Sequence, residues 1–244
     1  MIGLSDSKAA VAHTDNDDRS PPHLGATYTW GDTMTTEPHK DHVRLYFQNC
    51  RIPVQDHDRV TLYKDMHTLH ADVIGLAETC LNSSFQSTKL QVMDDLRRLY
   101  PSIHTTFSAA AEKRKGRYQR GGTLQILTGK LANRLVSQGS DLMGRYCWQR
   151  LYLTNTQRIT IITAYRVCQT TSHSAGQTSA FYQQWRALAA QGIAQPNPRR
   201  SFMESISTLL TQMQAEGDEI LLQLDANTAP TEQEWVTFLS THNL

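Results

Sequence analysis

Apolar positions are sparse and without period in the first forty residues, and regular in the rest of the chain. Residues 1–41 are rich in Asp, His, Ser, Thr and Pro and contain few aliphatic side chains. Such a stretch buries too little apolar surface to offset the entropy lost on ordering, so we predict a disordered N-terminal tail. From Val43 the apolar residues follow strand and helix periods, which predicts one domain over residues 42–244.

Strands and helices follow one another in an irregular order along this domain. Alternating or continuous apolar runs predict strands at residues 43–47, 71–77, 103–107, 123–127, 147–153, 158–165 and 219–224. Apolar residues spaced three or four positions apart predict helices within residues 62–69, 92–99, 179–191 and 202–213. The T-x-x-E relation of Thr231 to Glu234 predicts a capping box and a last helix that begins at Thr231.

This order mixes hairpin-like strand pairs with helical crossovers. A simple repeat is excluded, and a pure doubly wound sheet is disfavoured, because strands and helices do not alternate one by one. The pattern therefore predicts an α/β protein in which two sheets form a sandwich with helices on the outside.

Composition narrows the class of protein. The formal net charge is +1, so any attraction for nucleic acid must come from local patches. No apolar run approaches the roughly 20 residues that span a bilayer, and the N-terminus lacks a signal pattern. We therefore expect an intracellular protein, nuclear or cytoplasmic, without a membrane partner.

The four cysteines form no C-x-x-C pair and are expected to be free thiols. No particular protein partner is indicated.

Two buried strands end on an acid. Glu78 directly follows the strand at 71–77. Asp225 directly follows the strand at 219–224, and Asn227 lies two residues further on. Acids placed there are held rigidly at the edge where α/β proteins collect their sites. Two carboxylates and an amide would supply the oxygen ligands that Mg²⁺ or Mn²⁺ prefers. Each acid taken alone is equally explained as a strand-end or helix-capping residue.

Other polar residues end the first strand and the strand at 158–165. Asn49 closes the run LYFQN, and Tyr165 and Arg166 close the run ITAYR. An Arg at a strand end suits a phosphate group, through charge-assisted and often bidentate hydrogen bonds. Asn49 is also typical of a turn, and Arg166 by itself is typical of the protein surface.

Basic residues are concentrated in residues 113–120 (KRKGRYQR), directly before Gly121 and Gly122. Three side chains of this segment are candidates for binding successive phosphates of a nucleic acid, those of Lys115, Arg117 and Arg120. The interleaved Tyr118 is a candidate for stacking on a base. A solvated loop explains the same composition equally well.

Taken in order, five segments of the chain resemble the motifs of the endonuclease/exonuclease/phosphatase superfamily. They are LYFQN, DVIGLAET, GGT, ITAYR and LDAN. Five longer segments are similar in sequence to nuclease domains encoded by non-LTR retroelements. They are ADVIGLAETCLN, GGTLQILTGK, ITIITAYRVCQ, FYQQWRALAAQG and LLQLDANT. The resemblance covers roughly residues 43–244. No single motif is specific, but five in the same order do not arise easily by chance.

The resemblance implies a four-layer α/β/β/α sandwich that hydrolyses phosphodiesters with Mg²⁺ or Mn²⁺, with DNA as the substrate. It implies that Glu78 is the main metal ligand and that Asn49 helps to order the site. Tyr165 would approach the scissile phosphate, and Asp225 would orient or deprotonate the attacking water. Asn227 would hydrogen-bond the phosphoryl oxygens as negative charge develops.

The chain departs from the superfamily pattern in two places. Leu224 stands where Gly usually precedes the Asp of LDAN, and its side chain is expected to crowd the site. The final motifs, a structural Asp and then an Asp-His pair, have no counterpart up to Leu244, and His242 lacks the preceding Ser-Asp. The resemblance therefore predicts a sandwich incomplete at its C-terminus, poorly stable and inactive when made as residues 1–244.

Two other functions remain compatible with the same motifs. One is a nucleic-acid-binding module that has kept the fold and lost the chemistry. The other is a phosphatase of the same superfamily that acts on lipid or inositol phosphates. The basic residues at 113–120 favour nucleic acid over inositol phosphate. A structural protein without a site would require all five strand-end motifs to be accidental.

Overall fold

A computed structural model describes residues 42–50, 56–112, 118–170, 176, 178–229 and 231–244. The predicted disordered tail, residues 1–41, lies outside the described residues. Within the described residues, none of the helices combines the length and the hydrophobicity needed to cross a bilayer.

In the described part of the chain, eight strands form two four-stranded sheets. The first sheet consists of β1 (Leu45–Asn49), β2 (Val73–Ala77), β3 (Ile103–Ser108) and β4 (Thr123–Thr128), in the order β1-β2-β4-β3. The second consists of β5 (Leu135–Ser140), β6 (Tyr146–Tyr152), β7 (Arg158–Tyr165) and β8 (Asp218–Asp225), in sequential order. Each sheet is mixed: β1 and β2 are parallel, β7 and β8 are parallel, and the other neighbours are antiparallel.

Among the residues that the structure describes, six helices accompany the strands. They are α1 (Asp56–Thr68), α2 (Gln86–Arg97), α3 (Gly129–Ala132), α4 (Ala180–Ala190), α5 (Pro198–Ala215) and α6 (Gln233–Thr241). Both parallel strand pairs are joined by helical crossovers: α1 lies between β1 and β2, and α4 and α5 lie between β7 and β8. Parallel pairing requires such crossovers, because a tight turn returns the chain antiparallel.

Three apolar layers hold the sandwich together. Tyr63 and Met66 of α1 pack with Val92 and Leu96 of α2 on the outer face of the first sheet. The outer face of the second sheet is covered by side chains of α5 and α6, including Phe202, Ile206, Leu210, Trp235 and Phe238. Between the sheets lie Val73, Leu127, Leu151 and Ile161. The predicted fold class, an α/β sandwich of two mixed sheets flanked by helices, is confirmed.

The space between the sheets also contains a layer of buried polar side chains. The hydroxyl of Thr163 in β7 lies 3.3 Å from Oε1 of Gln125 in β4, and Gln223 Nε2 lies 3.4 Å from the carbonyl oxygen of Tyr46. A Cβ atom on Gly75 would lie 2.2 Å from Oε1 of Gln223. Gly75 is therefore the residue that allows the amide of Gln223 to reach across to the first sheet.

The structure differs from the predictions at two elements. The capping box at Thr231 is wrong: α6 begins at Gln233, and its N-cap Glu232 makes no side-chain cap hydrogen bond. Instead, Oε1 of Glu232 accepts from the backbone N–H of Ala229 at 3.4 Å. Strand β5 was not predicted, since its sequence LVSQGS is mostly polar and it lies at a sheet edge.

Candidate active site

The carboxyl ends of the two parallel strand pairs lie at one edge of the sandwich. In the first sheet Asn49 pairs with Ala77, and Glu78 follows directly. In the second sheet Tyr165 pairs with Asp225. Residues 176 positions apart in the chain, Asn49 and Asp225, are hydrogen-bonded there.

The amide of Asn49 joins the two sheets. Its Nδ2 donates to Oδ2 of Asp225 at 2.6 Å and to Oε2 of Glu78 at 3.3 Å. Two carboxylates from different sheets are therefore close enough to share one donor, and their like charges repel. A divalent cation held between them would remove that repulsion.

Glu78 is positioned by an unusual backbone conformation. Its φ is +50° and that of Cys80 is +54°, the left-handed region that side chains with a Cβ rarely adopt. The N–H of Thr79 donates to the Gly122 carbonyl at 3.1 Å, and the N–H of Cys80 donates to that of Gly121 at 2.9 Å. Such backbone strain costs about 1–3 kcal/mol and persists where the surroundings impose it. The Gly-Gly pair of the GGT motif therefore fixes the turn that aims Glu78.

Asn227 is held by both strand-end loops of the second sheet. Its φ is +47°, and its Nδ2 donates to Oδ2 of Asp225 at 3.1 Å and to the carbonyl of Arg166 at 2.8 Å. Its Oδ1 accepts from the thiol of Cys168 at 2.9 Å. Because both ends of this amide are engaged, Asn227 fixes the orientation of the Asp225 carboxylate.

Tyr165 is buried beside the carboxylates, at 4% exposure. Burial, and then the charges of Glu78, Cys168 and Asp225, raise the pKa of Tyr165 far above its ordinary value. The phenol is therefore protonated throughout the neutral range and serves as a hydrogen-bond donor.

A cavity of about 550 Å³ opens beside these residues. It is lined by Asn49, Glu78, Arg120, Tyr165, Val167, Cys168, Gln169, Thr170, Ser179, Ala180 and Phe181. Arg120 is exposed, and its cationic side chain lines the same cavity as the carboxylate of Glu78. This arrangement suits an anionic ligand that approaches a carboxylate-bound cation.

The residues present fit a magnesium site with few protein ligands. Mg²⁺ is usually held by one or two carboxylates and keeps several waters or substrate oxygens. Glu78 supplies a carboxylate, a half-turn of the Asn49 amide would present its oxygen to the ion, and Asp225 lies close enough to contact a retained water. In the described part of the chain no group of three or more His, Cys, Asp or Glu side chains could hold a metal together. One carboxylate and one amide with retained water are thus the arrangement that fits.

One predicted phosphate contact lies outside the cavity lining. Arg166 was predicted to bind phosphate, with an exposed surface position as the alternative, but it is 3% exposed, and its Nη2 donates to Oε2 of Glu234 in α6 at 2.7 Å. Because it is buried and paired, the structure does not place Arg166 in the cavity. Arg120 does line the cavity. Lys115 and Arg117 lie outside the described residues.

Leu224 and His242, the two residues considered with the departures from the superfamily pattern, lie on the helical side of the second sheet. Leu224 packs against the cluster that contains Ile162 and Phe202. Since successive strand side chains point to opposite faces, Leu224 points away from Asp225, and the expected crowding does not occur. His242 is also remote from the site, with Nε2 at 2.7 Å from the hydroxyl of Ser207 in α5.

Sequence reasoning missed four residues that complete this site. Cys168 binds the amide of Asn227, and Arg199 Nη1 donates to the carbonyls of Val167 and Asn227 at 2.9 and 3.0 Å. Ala180 and Phe181 line the cavity. All four belong to the connection between β7 and β8, where local pattern predicted helices but not which of their residues face the site. The usable signals were the position of Cys168, three residues after Tyr165, and the segment FYQQWRALAAQG, which begins at Phe181.

Comparisons with known proteins establish the fold. No family model and no curated protein sequence match the chain. The catalytic domain of human nocturnin, solved with a bound sulfate anion, is 14% identical, with a TM-score of 0.51 over 82% of this chain and 69% of that one. The AP endonuclease LMAP from Leishmania major is 16% identical, with a TM-score of 0.52 over 77% of this chain and 55% of that one. The chain thus spans little more than half of LMAP. Likeness at these identities shows a shared fold.

Proposed function

We propose that this domain belongs to the endonuclease/exonuclease/phosphatase superfamily and hydrolyses phosphodiesters with Mg²⁺ or Mn²⁺. We further propose that it derives from a retroelement endonuclease whose substrate is DNA. The observation that carries the proposal is the convergence of Glu78, Asn49, Asp225 and Asn227 on one edge, where Asn49 contacts both carboxylates. The likeness in fold to an AP endonuclease supports the choice of DNA.

Each residue has a defined task in this proposal. Glu78 and Asn49 would hold the cation, which supplies Lewis-acid stabilisation of the phosphate oxygens when bound. Asp225 accepts a proton from, or orients, the attacking water, and Asn227 keeps that carboxylate in place. Tyr165, protonated and buried, donates a hydrogen bond toward the scissile phosphate. Both N–H bonds of the Asn227 amide are engaged, so its expected contact with phosphoryl oxygens requires one of them to be released.

The test uses the purified protein as its gene encodes it. Nicking of supercoiled plasmid is measured with Mg²⁺, with Mn²⁺ and with EDTA. We expect metal-dependent nicking and a loss of about a hundredfold or more in Glu78→Gln. Glu219→Gln, which removes an exposed acid of β8, is the matched control.

A second readout separates the metal site from the chemistry. Mg²⁺ at ten times its Kd should raise the free energy of unfolding by about 1.4 kcal/mol, because only the folded state holds the two carboxylates together. This increase should be absent in Glu78→Gln and present in Glu219→Gln. Stabilisation without nicking would favour the nucleic-acid-binding module. Absence of both would contradict the proposed site.

A further inference from the structure

We propose that α4 forms one wall of a nucleoside-binding site beside the carboxylates. In this wall, the ring of Phe181 stacks against an unpaired base attached to the scissile phosphate. The inference rests on the proposed function, because it names the group that the phosphate carries. It is independent of whether the phosphate is hydrolysed.

The lining of the cavity has two chemically different parts. Asn49 and Glu78 supply polar groups. The other part is an apolar cluster in which buried Tyr165, Val167 and Ala180 pack with half-buried Phe181. A ligand that fills the cavity therefore needs an anionic part and an apolar, preferably planar, part.

The wall is rigidly attached to the rest of the domain. Gln183 of α4 is 1% exposed, and its Nε2 donates to the carbonyl of Arg120 at 3.2 Å and to that of Thr178 at 3.0 Å. The next residue, Gln184, donates to the carbonyl of Met143 at 3.3 Å. Breaking these buried hydrogen bonds would leave polar groups unsatisfied, so Phe181 and the backbone of Arg120 form one pre-organised unit.

A nucleotide fits these two parts of the lining better than an inositol phosphate does. A nucleobase is flat and stacks on an aromatic ring, whereas inositol presents hydroxyl groups that an apolar wall leaves without partners. The faces of a base within a duplex are covered by its neighbours, so contact with Phe181 requires a base that is unpaired or turned out of the stack. The cavity, about 550 Å³, lies within the usual range for small-ligand sites.

The test compares three small phosphates that share the anionic group. Affinities of the full chain for thymidine 5′-monophosphate, methyl phosphate and inositol 1-phosphate are measured by calorimetry with Mg²⁺ present. We expect thymidine monophosphate to bind at least about fivefold more tightly than methyl phosphate, from the stacking of one base. Phe181→Ala should remove this preference and leave methyl phosphate binding unchanged, and Phe181→Leu should remove part of it. Trp185→Ala, on the same helix but outside the cavity lining, should change neither.

Three results would overturn the inference. They are equal affinity for thymidine monophosphate and methyl phosphate, an equal loss for both in Phe181→Ala, and tighter binding of inositol 1-phosphate. Its failure is distinct from failure of the hydrolytic proposal. If the protein nicks plasmid but does not prefer thymidine monophosphate over methyl phosphate, only the nucleoside-binding inference is contradicted. If it shows that preference but does not nick plasmid, only the proposed hydrolysis is contradicted. If none of the three phosphates binds, the nucleoside-binding inference is contradicted, and hydrolysis is judged by plasmid nicking alone.

Discussion

Cys168 lies where the loops after β7 and β8 meet. Its thiol donates to Oδ1 of Asn227, and the residue is exposed and lines the cavity. Burial first, and then the charges of Glu78 and Asp225, raise the pKa of this thiol above its ordinary value. The thiol thus responds to the charge at the centre of the site. Cys80 and Cys147 are buried and Cys50 is half-buried, so Cys168 is the most accessible of the four thiols.

Alkylation of Cys168 should therefore be slow near neutral pH and sensitive to Glu78. A raised pKa means less thiolate at a given pH, and the thiolate is the reactive form. Glu78→Gln removes one negative charge, lowers the pKa of the thiol and should increase the alkylation rate severalfold at pH 8. The rate is followed with iodoacetamide and assigned by peptide mass spectrometry. An equal increase in the control Glu219→Gln would contradict this account.

Helix α6 is held by its contacts with other elements, because its capping is weak. Trp235 and Phe238 are buried in the layer over the second sheet, and Glu234 pairs with the buried Arg166. At the C-terminal end His242 is 3% exposed, packs on Phe238 and contacts Ser207. Burial lowers the pKa of His242 below its ordinary value of 6.5, so the folded state favours the neutral ring.

The stability of the domain should therefore fall on acidification, partly through His242. The folded pKa lies below the unfolded one, so the unfolded state takes up the proton first. The stabilising contribution is present above pH 6.5 and is lost as the pH falls through the folded value. Urea midpoints at pH 7.5 and 5.0 should differ less in His242→Gln than in the parent. His57→Gln, at an exposed position in α1, should behave as the parent does.

The two sheets pack through a layer that is partly polar. Gly75 leaves the space that the amide of Gln223 fills, and Thr163 donates to Oε1 of Gln223 at 3.2 Å. A Cβ on Gly75 would also lie 2.7 Å from the hydroxyl of Thr163. The distance between the sheets near the site thus depends on the absence of a single methyl group.

Gly75→Ala should lower the free energy of unfolding by about 1–3 kcal/mol, the usual cost of overpacking a core. Urea denaturation measures this cost. In a Gln223→Ala background the added methyl group has space, so the cost of Gly75→Ala should be clearly smaller there. Equal costs in the two backgrounds would show that the methyl group does not meet Gln223.

Most elements of the fold followed from local pattern. The run at 71–77 predicted β2 because a strand covered on both faces must be continuously apolar, and Phe202 to Met213 predicted α5 because a helix buries one stripe. Strand β5 was not predicted because its own residues are mostly polar. It is a strand because it pairs with β6. The start of α6 was misplaced because the side chain of Glu232 binds the preceding turn.

By itself, the sequence determined the fold class, the candidate acids Glu78 and Asp225, and the motif order that links them to phosphodiester chemistry. Strand periodicity and strand-end residues are local properties, so they can be recognised without coordinates. Only the tertiary structure decided that Asn49 contacts both acids, that Arg166 is buried and that Phe181 of α4 forms a cavity wall. These facts depend on which distant segments pack together, and packing is decided by the whole chain.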